Sequence, residues 1–494
     1  MHDVLIAGGG TVGLSAAVFL AHHGVHALVA ERQAGPQAHP RATGVGMRTV
    51  EFLREVGLAD AVDAVAIDAM GASLGKISVK TLTEADFTSM TPSAQVYPAP
   101  ALTPARLRGT CPQNRLDGVL LAAARERGAT VSYGTELVSF EQDAEGVTVV
   151  LNGPEGEWTA RTRYLVAADG VRGAVRPALG VGVSGPGVLG PVTNNILFRA
   201  DLRRIIGDTA FAVCDITHPD ARGTLVTIDG DKEWVFHTGS DPARAADLIR
   251  TAAGDPGLEV EIVSVLPWRV RAQVADRFSV GRVFLAGDAA HVVPPLGAFG
   301  LNTGVADAHN LAWKLAYVLR GEAGPALLGT YDEERRPVAA MTMEQALLRL
   351  RDPRLHWDRS PAMAAERAKV GAVNALVAHV GYRYGADVRD LPSTEDVALD
   401  LDGSVGSRVP HMWVADGVSS LDLVESRFTV LAGAQDTAWE AAGADLSTPL
   451  STRLIDGWPY GPLLVRPDGI VAWRGTTPGD LPEVLSRLLR LPAA

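Results

Sequence analysis

The hydrophobic pattern at the amino terminus predicts a strand, a tight turn, a helix and a second strand. An apolar run at residues 4–7 is followed by GGGTVG and then by an alanine-rich segment that ends near Gly24. A second apolar run, residues 26–30, ends at Glu31. This order of elements is typical of the first βαβ unit of a dinucleotide-binding fold.

The rest of the chain changes character twice. Residues from about 190 to 268 form short runs with alternating apolar positions, which predict a mostly antiparallel sheet. The apolar strand RVFLAG and the glycine-rich loop 287–304 follow, and apolar residues at helical spacing predict a helix from about Asn302 to Leu319. Helical sequence dominates from about 330 to 382, and the last hundred residues show a mixed pattern typical of a separate α/β domain.

Composition and charge indicate which partners and which cellular location to expect. The formal net charge is -12 and the basic residues are scattered, which argues against nucleic-acid and anionic-membrane partners. The only cysteines are Cys111 and Cys214, so we expect no disulfide framework, no cysteine-based metal site and a cytoplasmic location. Three glycines interrupt the apolar stretch 4–21, which follows Asp3; we interpret it as strand, turn and helix instead of a signal peptide or membrane span.

The spacing Gly8-x-Gly10-x-x-Gly13 predicts a dinucleotide-binding turn. Glycines permit the tight turn, the close approach of a pyrophosphate and close packing of helix on strand, while the helix N-terminus offers free N–H groups. Glu31 follows at about the distance expected of an acid that binds ribose. A chance glycine turn is the alternative, and the turn alone does not separate NAD from FAD.

Two further apolar strands end beside an aspartate. YLVAADGVRGAVR places one strand before Asp169, and FLAGDAAHVVPPLGAFGLNTG places another before Asp288. An aspartate at the carboxyl end of a strand can accept hydrogen bonds from a polyol chain. The alternative for Asp288 is that it only caps the next turn.

Three such motifs in this order resemble the FAD-dependent aromatic hydroxylases, also called single-component flavoprotein monooxygenases. The resemblance spans nearly the whole chain through RATGVGMRTVEFL, QNRLDG, YDEERRP and LVRPDGIVAWR, and it is best to the phenol-hydroxylase-like branch that includes aromatic polyketide hydroxylases. It implies FAD, NADPH or NADH as a transient reductant, and hydroxylation of a phenolic or polycyclic, polyketide-like substrate with O2 through a flavin C4a-hydroperoxide. Baeyer–Villiger or epoxidising oxygen insertion is one alternative, and a non-catalytic FAD-binding interaction protein is another.

The resemblance also implies a cofactor site built from distant segments. Its residues are Gly8, Gly10, Val12, Gly13, Glu31, Arg32, Arg41, Gln113, Asp169, Asp288, Pro295, Gly300, Leu301 and Asn302. The glycine turn would hold the pyrophosphate, Glu31 the adenosine ribose and Asp288 the ribityl chain. Pro295 would lie beside the flavin ring, with backbone groups of 300–302 at its pyrimidine edge. Because the flavin carries the chemistry, no catalytic side chain is assigned.

Other positions refine this site. Arg32 is expected beside the ribose, and Arg41 and Gln113 near the FAD phosphate and ribityl region. The chain departs from the family at Ala298, where a second glycine is common, and at Gly173, where a serine often follows the Asp-Gly pair. The first departure shifts the expected flavin contact, and the second weakens a capping or pyridine-nucleotide role.

Several side chains admit two interpretations. Five aromatic residues of the β-rich region could either line the substrate pocket together with Pro295, as an aromatic ceiling, or form the ordinary core of the sheet. They are Phe198, Phe211, Trp234, Phe236 and Trp268. His291 is either a ligand contact or a structural hydrogen-bond partner. Arg48 is either a surface residue or a flavin-facing one. His22, His23 and His26 are interpreted as solvated helix-end histidines instead of metal ligands, and no metal site is predicted.

These patterns predict an α/β protein with a Rossmann-like FAD-binding domain of the glutathione-reductase type, an inserted antiparallel β-sheet substrate domain and a thioredoxin-like tail. The predicted ranges are 1–75, 100–178 and 269–345 for the FAD-binding domain, 76–99 and 179–268 for the substrate domain, 346–395 for a helical connection and 396–494 for the tail. The tail contains no cysteine, which excludes redox activity there. A packing or association role, such as formation of a homodimer, is the expectation.

Overall fold

The computed structural model describes residues 2–68, 75–90, 102–104, 107, 109–209, 211–358, 360–385, 401–444 and 450–491. Its strands are β1 (His2–Ala7), β2 (Ala27–Glu31), β3 (Ile67–Asp68), β4 (Gly75–Val79), β5 (Gly109–Thr110), β6 (Thr130–Tyr133), β7 (Glu136–Gln142), β8 (Val147–Gly153), β9 (Gly156–Ala167), β10 (Val183–Arg199), β11 (Phe211–Ile216), β12 (Gly223–Thr227), β13 (Glu233–Thr238), β14 (Glu261–Ala275), β15 (Ser279–Val280), β16 (Val283–Leu285), β17 (His291–Val292), β18 (Trp413–Ala415), β19 (Val418–Ser419), β20 (Phe428–Gly433), β21 (Leu450–Ile455), β22 (Leu463–Val465) and β23 (Val471–Arg474). Its helices are α1 (Thr11–His22), α2 (Met47–Glu55), α3 (Ala59–Val65), α4 (Gln113–Glu126), α5 (Val175–Ala178), α6 (Arg203–Ile206), α7 (Ala245–Ala253), α8 (Phe299–Arg320), α9 (Thr330–Arg351), α10 (Arg354–Trp357), α11 (Pro361–Val370), α12 (Ala375–Val380), α13 (Ala438–Ala444) and α14 (Leu481–Leu488). Across these ranges, no helix is long and apolar enough to cross a membrane.

The first sheet has eight strands and carries the amino-terminal glycine turn. Strands β16, β9, β1, β2 and β6 run parallel in that order, β15 pairs antiparallel with β16, and β7 and β8 extend β9 as an antiparallel ribbon. The central strand β1 is apolar and buried, as expected of a parallel strand covered on both faces. Ala7, Ala167 and Leu285 end three neighbouring strands, so the turns that follow them leave the same edge of the sheet.

The second sheet has seven strands in the order β17–β14–β10–β13–β12–β11–β4, and only the β11–β4 pair is parallel. One face packs against α6 and α7 through a core that includes Ile206 and Leu248. Strand β14 runs on to Ala275, and its Gln273 pairs with Val292 of β17, inside the glycine-rich loop. That loop is therefore attached to both sheets.

Helix α8 joins the first sheet to the carboxyl-terminal region. It begins at Phe299, earlier than the predicted Asn302, because Ala298 adopts a left-handed backbone (φ 54°) that turns the chain into the helix. The tail contains a four-stranded sheet, β21–β20–β22–β23. Phe428 of β20 packs edge-on against Trp313 and Tyr317 of α8, so the hydrophobic core of the tail is continuous with that of the first sheet.

Buried ion pairs accompany this contact. The Glu334 carboxylate of α9 lies 2.8 Å from the Lys314 ammonium of α8 and 2.6 Å from the Arg466 guanidinium of the tail. Burial opposes ionisation of Glu334, but Arg466 and Lys314 together lower its pKa. Burial lowers the pKa of Lys314 to about 8. Since removal of one partner would leave an uncompensated buried charge, the network binds the tail to the helix pair.

The exchange Gly13→Ala tests the close packing of the first turn. A Cβ at this position would lie 1.9 Å from the carbonyl oxygen of Gly8, so we expect the free energy of unfolding of the apoprotein to fall by about 2 kcal/mol or more. The control is Gly118, exposed on α4, where a Cβ meets nothing within 4 Å; Gly118→Ala should stabilise by about 0.5–1 kcal/mol. Urea unfolding that shows the same effect for both variants would contradict this packing.

Candidate cofactor and substrate site

Three glycine-containing turns meet at the carboxyl edge of the parallel sheet. The turn after β1 approaches the turn after β9 so closely that a Cβ on Gly8 would lie 2.3 Å from the carbonyl oxygen of Ala168. The turn after β16 reaches the same place, because a Cβ on Gly287 would lie 2.7 Å from Cγ2 of Val12. Residues without side chains permit these approaches. The structure thus brings together the three motifs that lie far apart in the sequence.

The amino terminus of α1 faces open space beside these turns. Gly10 precedes the helix and is exposed, and a Cβ built on it meets no atom within 4 Å. No side chain caps the terminus, so the N–H groups of Thr11 and Val12 are available and the helix dipole makes the position electropositive. A pyrophosphate therefore fits there without displacing any side chain.

Glu31 lies at the rim of the glycine turn. Its Oε2 accepts a hydrogen bond from the backbone N–H of Gly9 at 2.7 Å, and its Oε1 accepts one from the N–H of Gln33 at 2.8 Å. These bonds fix the carboxylate where the second strand ends, next to the space in front of α1. Arg32 is exposed beside it.

Asp117 belongs to the same region; it lies in the QNRLDG motif, but only Gln113 of that motif was assigned to the site from the sequence. Its carboxylate accepts a hydrogen bond from the Thr11 hydroxyl, which itself accepts one from the Gln113 amide at 2.8 Å. Burial raises the pKa of Asp117 to about 6, against the opposing effects of the Thr11 hydrogen bond and the charge of the exposed Arg41. The i, i+4 spacing from Gln113 puts both residues on one face of α4, and this spacing is the pattern that identifies Asp117.

Asp288 lies in the turn after β16 and is open to solvent. No protein group within the described ranges hydrogen-bonds its carboxylate, yet desolvation by the surrounding protein raises its pKa, opposed by the charges of His291 and Arg41. A carboxylate that is crowded by protein but reachable by solvent is typical of a ligand groove. Asp288 can therefore accept hydrogen bonds from a bound polyol.

Asp169, in the turn after β9, has a different environment. One oxygen accepts a hydrogen bond from the Val175 N–H at 3.1 Å and caps α5, and the other is buried without a partner. A Cβ on Gly173 would lie 2.0 Å from the carboxyl carbon of Asp169. The serine common in the family would therefore collide with this carboxylate, and a glycine is required in this arrangement.

Asn302 ties the glycine-rich loop to the segment before α2. Its Oδ1 accepts hydrogen bonds from the Gly46 N–H and the Thr49 hydroxyl, each at 2.7 Å. Its Nδ2 donates to the carbonyls of Gly44 at 3.1 Å and Ala298 at 2.6 Å. Because these bonds occupy the side chain, Asn302 presents only its backbone to a ligand.

The amino terminus of α8 is also uncapped by side chains. Gly300 and Leu301 lie in its first turn, so their N–H groups point toward the loop and Pro295 is exposed ahead of them. Ala298 fits in place of the family's glycine because its partner across the loop is Gly44, where a Cβ would lie 2.8 Å from that of Ala298. The electropositive helix end suits an electron-rich ring edge.

Asp307 of α8 is buried and hydrogen-bonds the glycine-rich loop. Its Oδ2 lies 2.6 Å from Nε2 of His291 and accepts a hydrogen bond from the Gly287 N–H at 3.2 Å. Its Oδ1 accepts one from Nε of Arg335 at 2.8 Å, and Arg335 also donates to the Tyr384 hydroxyl at 3.0 Å. Burial disfavours the charged carboxylate, but His291 and Arg335 lower the pKa of Asp307 below its usual value. His291 is thus a structural hydrogen-bond partner in this structure.

The structure corrects the aromatic-ceiling hypothesis for four of its five residues. These are Phe198, Phe211, Trp234 and Phe236, all buried in the core between the second sheet and helices α6 and α7. Since side chains alternate along a strand, they point away from the opposite face of the sheet. Only Trp268 lies on that opposite face, where its indole N–H donates to Asn195.

The structure also gives the positions of Arg48 and His22, for which the sequence allowed two interpretations. Arg48 is buried, contacts Glu51 at 2.8 Å and donates to the carbonyl of Asp468, so it faces the tail. His22 lies 2.7 Å from the Ser426 hydroxyl. In the part of the chain that the structure describes, no three His, Cys, Asp or Glu side chains are arranged to hold a metal ion.

The exchange Asp307→Asn tests the buried network. It keeps the shape but removes the charge opposite Arg335, so we expect the free energy of unfolding of the apoprotein to fall by about 3 kcal/mol in urea denaturation. The control Asp143→Asn affects an exposed pair with Arg161 and should lower the free energy of unfolding far less, because solvent screens that pair. Adding Arg335→Met to Asp307→Asn should recover part of the loss, and strictly additive losses would argue against the pairing.

Asp117 predicts a pH dependence of stability. The carboxyl has a pKa of about 6 when folded and about 4 when unfolded, so the folded state binds more protons between these values and stability falls as pH rises through them. Asp117→Asn should therefore be more stable than the parent at about pH 7.5, by at most about 3 kcal/mol, and equal to it near pH 4. Urea unfolding of the apoproteins measures this, and a difference that does not change with pH is the contrary result.

Comparisons with known proteins agree with this geometry. Residues 1–346 match the family described as FAD binding domain, and residues 402–492 match the one described as aromatic-ring hydroxylase, C-terminal. The chain is 38% identical to tetracenomycin B2 monooxygenase-dioxygenase of Streptomyces olivaceus, with 98% of each chain covered. It is 35% identical to aklavinone 12-hydroxylase RdmE of Streptomyces purpurascens, with 99% of this chain and 98% of that one covered.

A solved structure is similar over the full length. It is a ternary complex of aklavinone-11 hydroxylase with FAD and aklavinone, with a TM-score of 0.84, 34% identity and 99% of both chains covered. The matched families, the relatives and the shared fold agree with the arrangement of the three turns. This chain therefore belongs to the FAD-dependent aromatic-ring hydroxylases, which are flavoprotein monooxygenases.

Proposed function

We propose that this chain hydroxylates a phenolic, polycyclic aromatic substrate of the polyketide type, with FAD as its cofactor, O2 as oxidant and NADPH or NADH as reductant. The observation that carries the proposal is the meeting of three turns at one sheet edge, with the second sheet joined to the glycine-rich loop through β14 and β17. The names of the relatives support the substrate class, because they refer to tetracenomycin and aklavinone.

The residues at the sheet edge fit FAD. The open space in front of Gly10 accommodates a pyrophosphate, Glu31 is placed for the ribose, and the Asp288 carboxylate is free for the ribityl hydroxyls. Backbone N–H groups of 300–302 would stabilise negative charge on the pyrimidine edge, and Pro295 would provide an apolar wall. When bound, FAD supplies the redox chemistry that activates O2, while the chain binds, orients and excludes water.

We propose that the reductant, NADPH or NADH, binds only transiently. The spacing Gly-x-Gly-x-x-Gly occurs at residues 8–13, 180–185 and 185–190, but only at 8–13 does it follow a strand and open a helix, and the proposal assigns that turn to FAD. NADPH and NADH therefore have no fingerprint of their own in this chain. Baeyer–Villiger or epoxidising oxygen insertion is the rival outcome on the same scaffold, and NMR of the product distinguishes ring expansion, epoxide and phenol.

The domain ranges predicted from the sequence are retained as part of this proposal, with a thioredoxin-like tail. Its support is the order of elements: parallel β20 and β21 flank α13, and the antiparallel pair β22–β23 precedes α14. Because the sequence of the tail has no cysteine, the proposal gives the tail a packing or association role instead of a redox one, and the contact of Phe428 with Trp313 of α8 supports packing.

The exchange Asp288→Ala tests the cofactor assignment. It removes a charged acceptor of hydrogen bonds, so we expect the Kd for FAD to rise about 10- to 100-fold. Asp220→Ala, at an exposed turn of the second sheet, is the matched control and should leave the Kd unchanged. Fluorescence titration of the apoproteins measures both values. Equal FAD affinity in Asp288→Ala and the parent would show that the ribityl role is wrong.

Substrate-stimulated oxidation of NADPH or NADH tests the activity. The purified FAD-loaded protein should consume the reductant faster with a phenolic polycyclic compound than without it, and mass spectrometry should detect a product that has gained one oxygen atom. Failure to turn over any member of an aromatic panel would favour the non-catalytic FAD-binding protein. A purified protein that is colourless and takes up no added FAD would overturn the whole proposal.

A further inference from the structure

The face of the second sheet opposite its helices carries a polar cluster that the cofactor site does not use. Asn195 of β10 and His237 of β13 are directly opposed across the two strands and form a hydrogen bond. Trp268 of β14 donates its indole N–H to the same amide oxygen. His39, from the segment before α2, reaches the sheet and contacts the Ser264 hydroxyl of β14 at 2.7 Å. We refer to these five residues as the polar cluster.

The contacts of Asn195 determine which nitrogen of His237 carries the proton. The Trp268 indole can only donate, so the Asn195 atom that it meets is the carbonyl oxygen and not the amide nitrogen. The same oxygen meets Nδ1 of His237, which must therefore carry the hydrogen of the neutral ring. The lone pair is then on Nε2, and this nitrogen has no hydrogen-bond partner in the described ranges.

Both histidines of the polar cluster are neutral near pH 7. Burial lowers the pKa of His237 to about 4, and the charge of His39 adds to this effect. Burial, together with the nearby Arg41, lowers the pKa of His39. His39 is only 3% exposed, and its Nε2 is buried without a partner. Nε2 of His237 has no hydrogen-bond partner in the described ranges either, although it is not a buried atom. Because an unpartnered buried polar atom is costly, these two ring nitrogens indicate a site for a polar group of a ligand.

The polar cluster is close to the cofactor edge as well as to the sheet. His39 contacts Ser264 of the second sheet, while Gly44 and Gly46 hydrogen-bond Asn302 of the glycine-rich loop, so the segment before α2 joins the two regions. A ligand that covers this face therefore lies next to the groove that holds Asp288. The neighbouring Leu197 and Val235 on this face pack with Ile228 in a small buried apolar cluster.

We propose that Nε2 of His237 accepts a hydrogen bond from a phenolic hydroxyl of the substrate and thereby selects free phenols over their ethers. Asn195 and Trp268 act as positioning residues, because they hold the ring and its tautomer. The identity of the ligand as an aromatic substrate rests on the proposed function. A site built around one acceptor discriminates strongly against an analogue that has no donor, since the acceptor is then buried without a partner.

Binding of 2-naphthol and 2-methoxynaphthalene to the oxidised, FAD-loaded protein tests the proposal. The two probes share one ring system, and the ether has a methyl group in place of the hydroxyl hydrogen; the change in flavin absorbance on titration gives each Kd. We expect the parent to bind 2-naphthol about tenfold or more tightly than the ether, and His237→Phe to bind both equally. His237→Gln keeps an acceptor and should retain part of the preference. His26→Phe, an exposed site on the first sheet, should behave like the parent.

The outcomes separate this inference from the proposed function. An unchanged Kd for the ether shows that His237→Phe has kept its fold and its flavin, so loss of preference for the phenol then supports the inference. A parent without preference, or a His237→Phe variant that keeps it, overturns the inference. The titration needs neither NAD(P)H nor turnover; a protein that prefers the phenol but never forms an oxygenated product would contradict the proposed function alone.

Discussion

One buried carboxylate, that of Asp307, sets the geometry on which the candidate site depends. It holds the turn after β16 through Gly287, the loop through His291 and the helix α9 through Arg335. Because these side chains are inaccessible to solvent, any other arrangement would leave a charge or an N–H group buried without a partner. The cofactor edge and the two longest helices therefore share a single electrostatic centre, and the loop has one low-energy position.

Much of the architecture follows from the sequence pattern by simple geometry. Parallel strands place their carboxyl ends at one edge, so three apolar runs that each end in a Gly- or Asp-containing turn had to meet once the strands were neighbours. The side chains behind those turns were not predictable in this way. Asp307 and Arg335 are polar positions in long helices, and periodicity alone does not show whether such positions face solvent or a buried partner.

For the second sheet, prediction from the sequence fails for a different reason. Alternation along a strand separates two faces, but it does not show which one the helices cover. Phe198 is aromatic, yet it packs on the face that α7 covers, and the neighbouring Asn195 and His237 are on the opposite face. The same limit applies to Ala298, whose left-handed backbone and contact with Gly44 depend on a loop from a distant segment. Tertiary contacts, not local propensity, decide both cases.

Strand β14 connects the second sheet to the glycine-rich loop. It carries Trp268 on the face of the second sheet opposite its helices and, farther along, pairs with β17 beside His291. The ribbon is continuous, so the second sheet cannot shift relative to the glycine-rich loop without breaking backbone hydrogen bonds. A displacement of the second sheet is thereby passed on to the glycine-rich loop.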